Sequence, residues 1–342
     1  MTAEQQEDAP RRARRTLRVG ATIEHVAAAA GVSRQTVTRA MNDMDGISAA
    51  TKGRVLAAAK ELNYRPSRFG RGLARAAHDT LGLVVPDLAN PYAPEFAAAT
   101  VRYAGELGWN VVLVDTSHAR DPGRILSDLA GQVDAVLGYL GDSAHWAEAL
   151  AGMPVVAVDP GAGGKTPDSH LVRLDPRPAL REAAEHLATA GVRHVVVLDG
   201  DGEHRTSDRA RLIADALTAR GLSAEFCNAG GQEVEAGRAA ARRIVAAGLP
   251  DAVFAWNDIL AVGALSTFTE LGVRVPDQVR LLGIDGLSLG TFVTPQLTTL
   301  AADRHLVARH AVDLAIAALG PDAPAEPGSR RVEHVFTPRA SA

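Results

Sequence analysis

The sequence predicts a small all-α helix-turn-helix unit followed by a two-lobed α/β body. Three observations carry this. Near the amino end a short helix with one polar face follows a tight turn, from Thr80 onward apolar runs alternate with helical stretches, and the charge of the chain changes sign between the two regions.

Thr22 caps a first helix through Ile-Glu-His-Val-Ala-Ala-Ala-Ala, and Gly31 can take the left-handed conformation that ends it. Ser33 caps the second. At 100° per residue, Arg34, Gln35, Thr38, Arg39 and Asn42 share an arc of roughly 140°, while Val37 and Ala40 lie outside it on the apolar side, with Met41 at the border. One side suits a core and the other a polar partner. Ser48 opens a third helix with apolar positions Val55, Leu56, Ala59 and Leu62, and Asn63-Tyr64-Arg65-Pro66 stops it. Two short helices joined in this way fit the second into a DNA major groove. The spacing alone also fits an ordinary helical hairpin; the third helix adds a compact three-helix unit to the pattern.

Charge is an independent argument. The whole chain has 36 basic and 40 acidic residues, a net charge of -4 that suggests nothing about nucleic acid. Residues 1–75 alone hold 14 basic and 7 acidic residues, so the remainder is acidic. A basic arm containing Arg11, Arg12, Arg14, Arg15 and Arg18 inflates the count, yet without residues 1–20 there are still 9 basic against 4 acidic. A basic module on an acidic body is expected where only the module meets phosphates.

At 342 residues and 46% hydrophobic, the chain has room for two or three domains. It has no apolar run of membrane-spanning length and no apolar leader at its start, so a cytoplasmic protein is expected. Cys227 is the only cysteine, which excludes an intramolecular disulfide or a cysteine-based zinc cluster. No metal and no cofactor are expected.

In the body, the apolar runs are Leu81 to Val85, Val111 to Val114, Ala135 to Leu137, Val155 to Val158, Val195 to Leu198, Val253 to Trp256 and Leu281 to Ile284. Their alternation with helical stretches implies parallel sheets covered on both faces. The polar stretch beginning at Gly161 reads as a break between lobes. Many runs end in Asp or Asn: Asp87 and Asn90, Asp115, Asp159, Asp199, Asn257 with Asp258, and Asp285. Each alone is an ordinary helix cap, but ligands of open α/β sheets bind beyond the carboxyl ends of the strands, so the set points to one crevice. Catalysis has little support. Gly161, Gly163, Gly164 and Lys165 lack phosphate-loop spacing, and there is no His-Glu-x-x-His or Gly-x-Ser-x-Gly pattern.

Taken in order, these residues resemble the lactose-repressor/galactose-repressor (LacI/GalR) transcription factors over about residues 20–339. The resemblance rests on residues 22–42 and 61–67, on Asn90-Pro91-Tyr92, Trp256-Asn257-Asp258, Gly283-Ile284-Asp285 and Pro295-Gln-Leu-Thr-Thr299. It implies a homodimer or tetramer on a near-palindromic double-stranded DNA operator, with a small-molecule effector in a type I periplasmic-binding-protein-like body and no membrane association. Arg34, Gln35 and Arg39 look like base readers, since Arg can donate twice to guanine and Gln can pair with adenine. Ser33, Thr36, Asn42 and Ser48 would hold phosphates, with Thr22, Thr38, Tyr64 and Ser67 completing the DNA-facing set. Residues 67–74 resemble a hinge helix that folds on the operator and wedges Leu73 into the minor groove. Gly70 and Gly72 weaken that helix, so it is expected to be disordered off DNA.

For the effector, Arg209 and Asp285 match ligand-holding positions, with Asn257, Asp159 and Tyr92 beside them. Ala93 and Gln232 stand where the family often has aromatic residues, which weakens stacking and leaves Tyr92 as the remaining ring. The effector is expected to be a sugar or another small polar metabolite. The expected organisation is an arm (1–20), helix-turn-helix domain (21–66), hinge (67–78) and effector domain (79–340). Within the last, the N-lobe takes 79–165 and 290–322, the C-lobe 166–289 and 323–340. The competing readings are a solute-binding protein without DNA function and an enzyme on a doubly wound fold.

Overall fold

The computed structural model describes residues 23–41, 44, 46–62, 79–117, 119–141, 146–160, 169–200, 206–320 and 326–342. Thr22, Asn42, Tyr64, Ser67, Leu73, the arm, the hinge and the polar stretch 161–168 lie outside these residues. The chain divides into two units, residues 1–78 and 79–342.

The first unit holds α1 (Ile23–Ala30), α2 (Arg34–Met41) and α3 (Ala49–Glu61). Val26, Val37 and Val55, one from each helix, are fully buried against Ala27, Ala30, Ala40, Ala58 and Ala59. With so few side chains in the core, each buried valine is worth about 1.5–3 kcal/mol. Gly31 sits at φ +64° and turns the chain between α1 and α2. The Ser33 hydroxyl accepts the Thr36 N–H at 3.2 Å, and Ser48 accepts that of Thr51 at 3.2 Å, so both expected caps form. Leu56 and Leu62 do not join the core; they are exposed. The buried stripe of α3 runs through Val55, Ala58 and Ala59. Leu56 is rotated off it, and Leu62 lies past the last helical turn.

The body contains two six-stranded sheets. The N-lobe sheet joins β1 (Thr80–Val85), β2 (Asn110–Asp115), β3 (Ala135–Gly138), β4 (Val155–Val158), β5 (His170–Asp175) and β11 (Ser329–Glu333) in the order β11-β5-β4-β3-β1-β2, all parallel. The C-lobe sheet joins β6 (His194–Asp199), β7 (Ser223–Asn228), β8 (Ala252–Ala255), β9 (Arg280–Asp285), β10 (Thr298–Ala301) and β12 (Val335–Thr337) in the order β12-β10-β9-β8-β6-β7. Only β12 runs antiparallel to its neighbour. Central strands β1, β3, β4 and β8 are buried throughout, as expected where helices cover both faces of a sheet.

Helices α4 (Tyr92–Glu106) and α5 (Pro122–Ala130) belong to the N-lobe. The C-lobe carries α6 (Arg177–Thr189), α7 (Asp208–Thr218), α8 (Val234–Ala247) and α9 (Asp258–Glu270). The last helix, α10 (Arg304–Leu319), returns to the N-lobe and buries Val307, Ala308, Ala311 and Val312 beside Leu81, Phe96 and Val156. The chain therefore crosses between lobes after β5, after β10 and after β11. These crossings replace the sequence-based limits at 165/166, 289/290 and 322/323. The glycine-rich stretch after Asp159 precedes another N-lobe strand, and the real crossings are tight connections between elements that carry no compositional mark. Among the described residues no helix is long and apolar enough to cross a membrane.

Candidate effector cleft and nucleic-acid interface

On α2 the residues read as polar are solvent-facing. Arg34, Gln35 and Arg39 are exposed, and Thr36 and Thr38 are half-buried. Val37 and Ala40 are buried on the opposite side. The Arg34 guanidinium lies 3.2 Å from Glu24 of α1, both side chains open to solvent. Such a pair is worth little by itself, but it extends Arg34 along the helix surface. The Thr38 hydroxyl donates to the Arg34 carbonyl at 3.1 Å. Ser33 and Ser48 stand at the starts of α2 and α3, where free backbone N–H groups favour a phosphate oxygen.

In the body, a cleft of about 630 Å³ opens beyond the carboxyl ends of the strands of both sheets. Tyr92, Asp159, Arg209, Gln232 and Asp285 line it, joined by Asp87, Asn90, Glu233, Trp256 and Tyr139. Two of the carboxylates sit on strained backbone, Asp159 at φ +44° and Asp285 at φ +118°. Such conformations are rare outside glycine, cost about 1–3 kcal/mol each and gather at functional sites. Here they turn the chain sharply as it leaves β4 and β9.

Arg209 enters from the first turn of α7. Its guanidinium donates to the Trp256 carbonyl at 3.1 Å, lies 4.1 Å from the centroid of the Trp256 ring and stands 3.6 Å from Asp285. Burial pushes the Asp285 carboxyl up to about 6 against the opposing pull of Arg209 and Arg304, and Asp159 adds to the rise. Burial also raises the Asp159 carboxyl. Two buried carboxyls whose pKa values are raised share one cleft, where their oxygens can accept hydrogen bonds from ligand hydroxyls.

The opposite wall is aromatic. The hydroxyls of Tyr92 and Tyr139 are 2.6 Å apart, and their rings meet edge to face at 5.7 Å. Burial pushes the Tyr92 phenol up to about 12 and raises the Tyr139 phenol well above its ordinary value, so both stay neutral. Tyr139 follows Gly138, whose φ of +137° and approach to the Val84 carbonyl leave no space for a Cβ. Sequence reasoning missed Tyr139; the signal was a glycine and an aromatic residue at a strand end.

Asn257 is corrected by the structure. It does not line the cleft; it is fully buried as the cap of α9, its oxygen accepting the Leu260 N–H at 2.7 Å and its amide donating to the Gln232 carbonyl at 3.2 Å. With both ends of its amide used inside the fold, Asn257 supports Gln232 on the cleft wall and does not itself line the cleft. Asp258 is likewise turned inward. It accepts the Thr299 hydroxyl at 2.6 Å and the Leu287 N–H at 2.7 Å, and burial pushes its carboxyl up to about 7.

Arg304 and Glu95 were also missed, because only the crossing after β10 brings Arg304 against Glu95 and the strand end that carries Asp285. Arg304 donates to the Asp285 carbonyl at 2.6 Å and the Gly286 carbonyl at 3.0 Å, and pairs with Glu95 at 2.6 Å. Glu95 in turn accepts the Ser288 hydroxyl at 2.7 Å. Because α4 and α10 belong to the N-lobe and residues 285–288 to the C-lobe, this group fastens one lobe to the other.

A helix-turn-helix unit with exposed arginines, ahead of a two-lobed body with a cleft between its sheets, defines a DNA-binding transcriptional regulator that carries its own sensor. Residues 22–67 match the bacterial regulatory proteins of the lacI family, and residues 184–342 match a periplasmic binding protein-like domain. The chain belongs to the lacI family. It is 30% identical to the ribose operon repressor of Halalkalibacterium halodurans over 82% of this chain and 84% of that protein. It is also 30% identical to the transcriptional repressor CytR of Escherichia coli K12, over 85% of this chain and 88% of the relative. Among solved structures, the lac repressor dimer bound to operator and the anti-inducer ONPF superposes with a TM-score of 0.78 at 26% identity, covering 94% of this chain and 98% of that one. A lacI-family regulator from Arthrobacter sp. FB24 in complex with lactose gives 0.70 at 32% identity, covering 77% and 98%. The family decides against a solute-binding protein without DNA function.

Proposed function

We propose that this chain represses transcription as a homodimer on a near-palindromic operator, and that a neutral, hydroxyl-rich small molecule in the cleft sets its affinity. The observation that carries the reading is the exposed face of α2, with Arg34, Gln35 and Arg39 raised above the core formed by Val37 and Ala40. In this reading those three side chains reach base edges. Ser33, Thr36, Thr38 and Ser48 fix the register on phosphates, as would Thr22, Asn42, Tyr64 and Ser67, while Leu73 opens the minor groove. Two-fold pairing places the reading heads on half-sites about one helical turn apart.

The character of the effector follows from the cleft. Asp87, Asp159, Glu233 and Asp285 face one guanidinium, Arg209, which is already engaged with Trp256 and Asp285. A phosphorylated or carboxylated ligand would meet surplus negative charge, whereas the hydroxyls of a sugar find acceptors. The ordered rings are Tyr92, Tyr139 and Trp256; Gln232 supplies an amide in place of a stacking platform. The protein works in the cytoplasm as a sensor and not as a catalyst. Binding of the effector and of the operator must then be reciprocally coupled.

Selection of bound sequences from random DNA by the full chain, repeated with neutral sugars and with their phosphates, tests both halves. A two-fold-symmetric consensus whose recovery changes with a neutral ligand is expected. Equal recovery of all duplexes would overturn the reading.

A further inference from the structure

A second cavity, of about 530 Å³, lies beside the effector cleft where the chain crosses between lobes. It shares Asp159, Leu174, Arg209 and Trp256 with the cleft as a common wall; its own far side is built from β5, β11 and the residue that joins β11 to β12. On that side Arg173 and Arg331 are directly aligned neighbours on parallel strands, so both guanidinium groups leave the sheet on one face. Like charges placed opposite one another across strands are unfavourable unless something neutralises them.

The nearby carboxylates do not fully do so. Asp175 gives both oxygens to Arg177, at 2.7 and 2.8 Å, and also forms a longer ion pair, of 3.6 Å, with Arg331, so one carboxylate is shared between two guanidinium groups. Asp208 is paired with Arg211 at 2.9 Å. Asp159 acts on Arg173 electrostatically, but it answers to Arg209 first.

A second, independent observation comes from His334, which lines the same cavity. Its side chain is only 5% exposed, and its Nδ1 has no hydrogen-bond partner. Buried polar atoms are nearly always paired, so an orphan on a residue of this cavity's wall leaves a hydrogen-bonding capacity that the protein does not fill. Burial pushes the imidazole down to about 4, leaving it neutral and able to hydrogen-bond without adding charge.

We propose that the cavity bounded by Arg173, Arg331 and His334 is a second ligand site, distinct from the effector cleft, that takes the oxyanion group of a small metabolite. Planar guanidinium forks match a carboxylate or phosphate in two-point fashion, and a neighbouring imidazole supplies a further hydrogen bond. The occupant touches β5 and β11 of one lobe and the crossing into β12 of the other. It therefore favours the lobe arrangement in which these walls come together.

The test needs neither DNA nor effector, so it stands or falls apart from the regulatory reading. Full-length protein is titrated with inorganic phosphate and, separately, with malonate, each against sodium chloride at matched ionic strength. Tryptophan fluorescence and melting temperature are followed, Trp256 being part of the wall. Saturable change with either probe is expected, weakened about tenfold in Arg173→Gln and in Arg331→Gln, both surface substitutions. The responding probe tells a phosphate site from a carboxylate site. A change that does not saturate, or that both variants keep in full, would show an adventitious ion only and overturn the proposal.

Discussion

Replacing Asp258 by Asn changes the pH dependence of stability by an amount that can be worked out from its surroundings. The carboxyl is wholly buried, held by the Thr299 hydroxyl and the Leu287 N–H, and raised from 3.8 to about 7 by burial and then by the charge of Asp285. Below about pH 4 it is protonated in folded and unfolded chains alike. As the pH rises toward 7 the unfolded chain ionises first, so the folded protein loses about 1.4 kcal/mol per pH unit. Over about three units this approaches 4 kcal/mol, present at low pH and gone above pH 7.

Asn keeps an acceptor for Leu287 and a donor for Thr299 but has no charge to lose. Melting of wild type and Asp258→Asn, followed by circular dichroism between pH 4.5 and 8, should show similar temperatures at the acid end. The variant should pull ahead as pH rises. At about 2–4 °C per kcal/mol for a body of this size, the gap at pH 8 is expected to reach about 10 °C. Comparing the two proteins at each pH cancels the opposing contributions of Asp175, Asp251 and Glu270, whose carboxyls are held below their ordinary range. Curves that stay parallel across the range would refute the assignment of a neutral, buried Asp258.

Other expectations follow from the two sites. Arg39→Ala should relax preference at one operator position by about 1–3 kcal/mol in competition binding, whereas Ser33→Ala should weaken all sequences alike and lower helix stability by about 1 kcal/mol. If the ionised Asp285 accepts effector hydroxyls, half-saturation measured by calorimetry should weaken as the pH falls through about 6, and Asp285→Asn should be weak and flat across that range. Glu95→Gln cuts the charge that links Arg304 and Ser288, so amide exchange at residues 286–288 should speed up while the core strands remain protected.

The three helices of the first unit were legible because punctuation marks them: Gly31 needs its positive φ, and Ser33 and Ser48 cap their helices. Strands β1, β3, β4, β6, β8 and β9 were legible as apolar runs because neighbours and helices cover them. By contrast β7 (Ser-Ala-Glu-Phe-Cys-Asn) and β11 (Ser-Arg-Arg-Val-Glu) left no apolar signal, since each lies at a sheet edge with most side chains in solvent. The strand-end carboxylate pattern found Asp159 and Asp285 in the cleft. It could not separate them from Asp115 and Asp199, which accept backbone N–H groups of Leu88 and Ser207 beside their own strands. Glu95 and Arg304 acquire their partnership only once the chain has crossed between lobes, and nothing in their local sequence announces that.

The guanidinium of Arg304 has a consequence for how a metabolite is sensed. A receptor whose halves swing freely gains the whole of its closing energy from the guest, and answers to anything that fills the gap. Here the halves already hold hands through a resident cation, so an arriving molecule must better an arrangement that exists without it. Its reward is only the margin between two sets of bonds: binding will be modest in strength and exacting about shape, which suits a switch that must reset when supply falls.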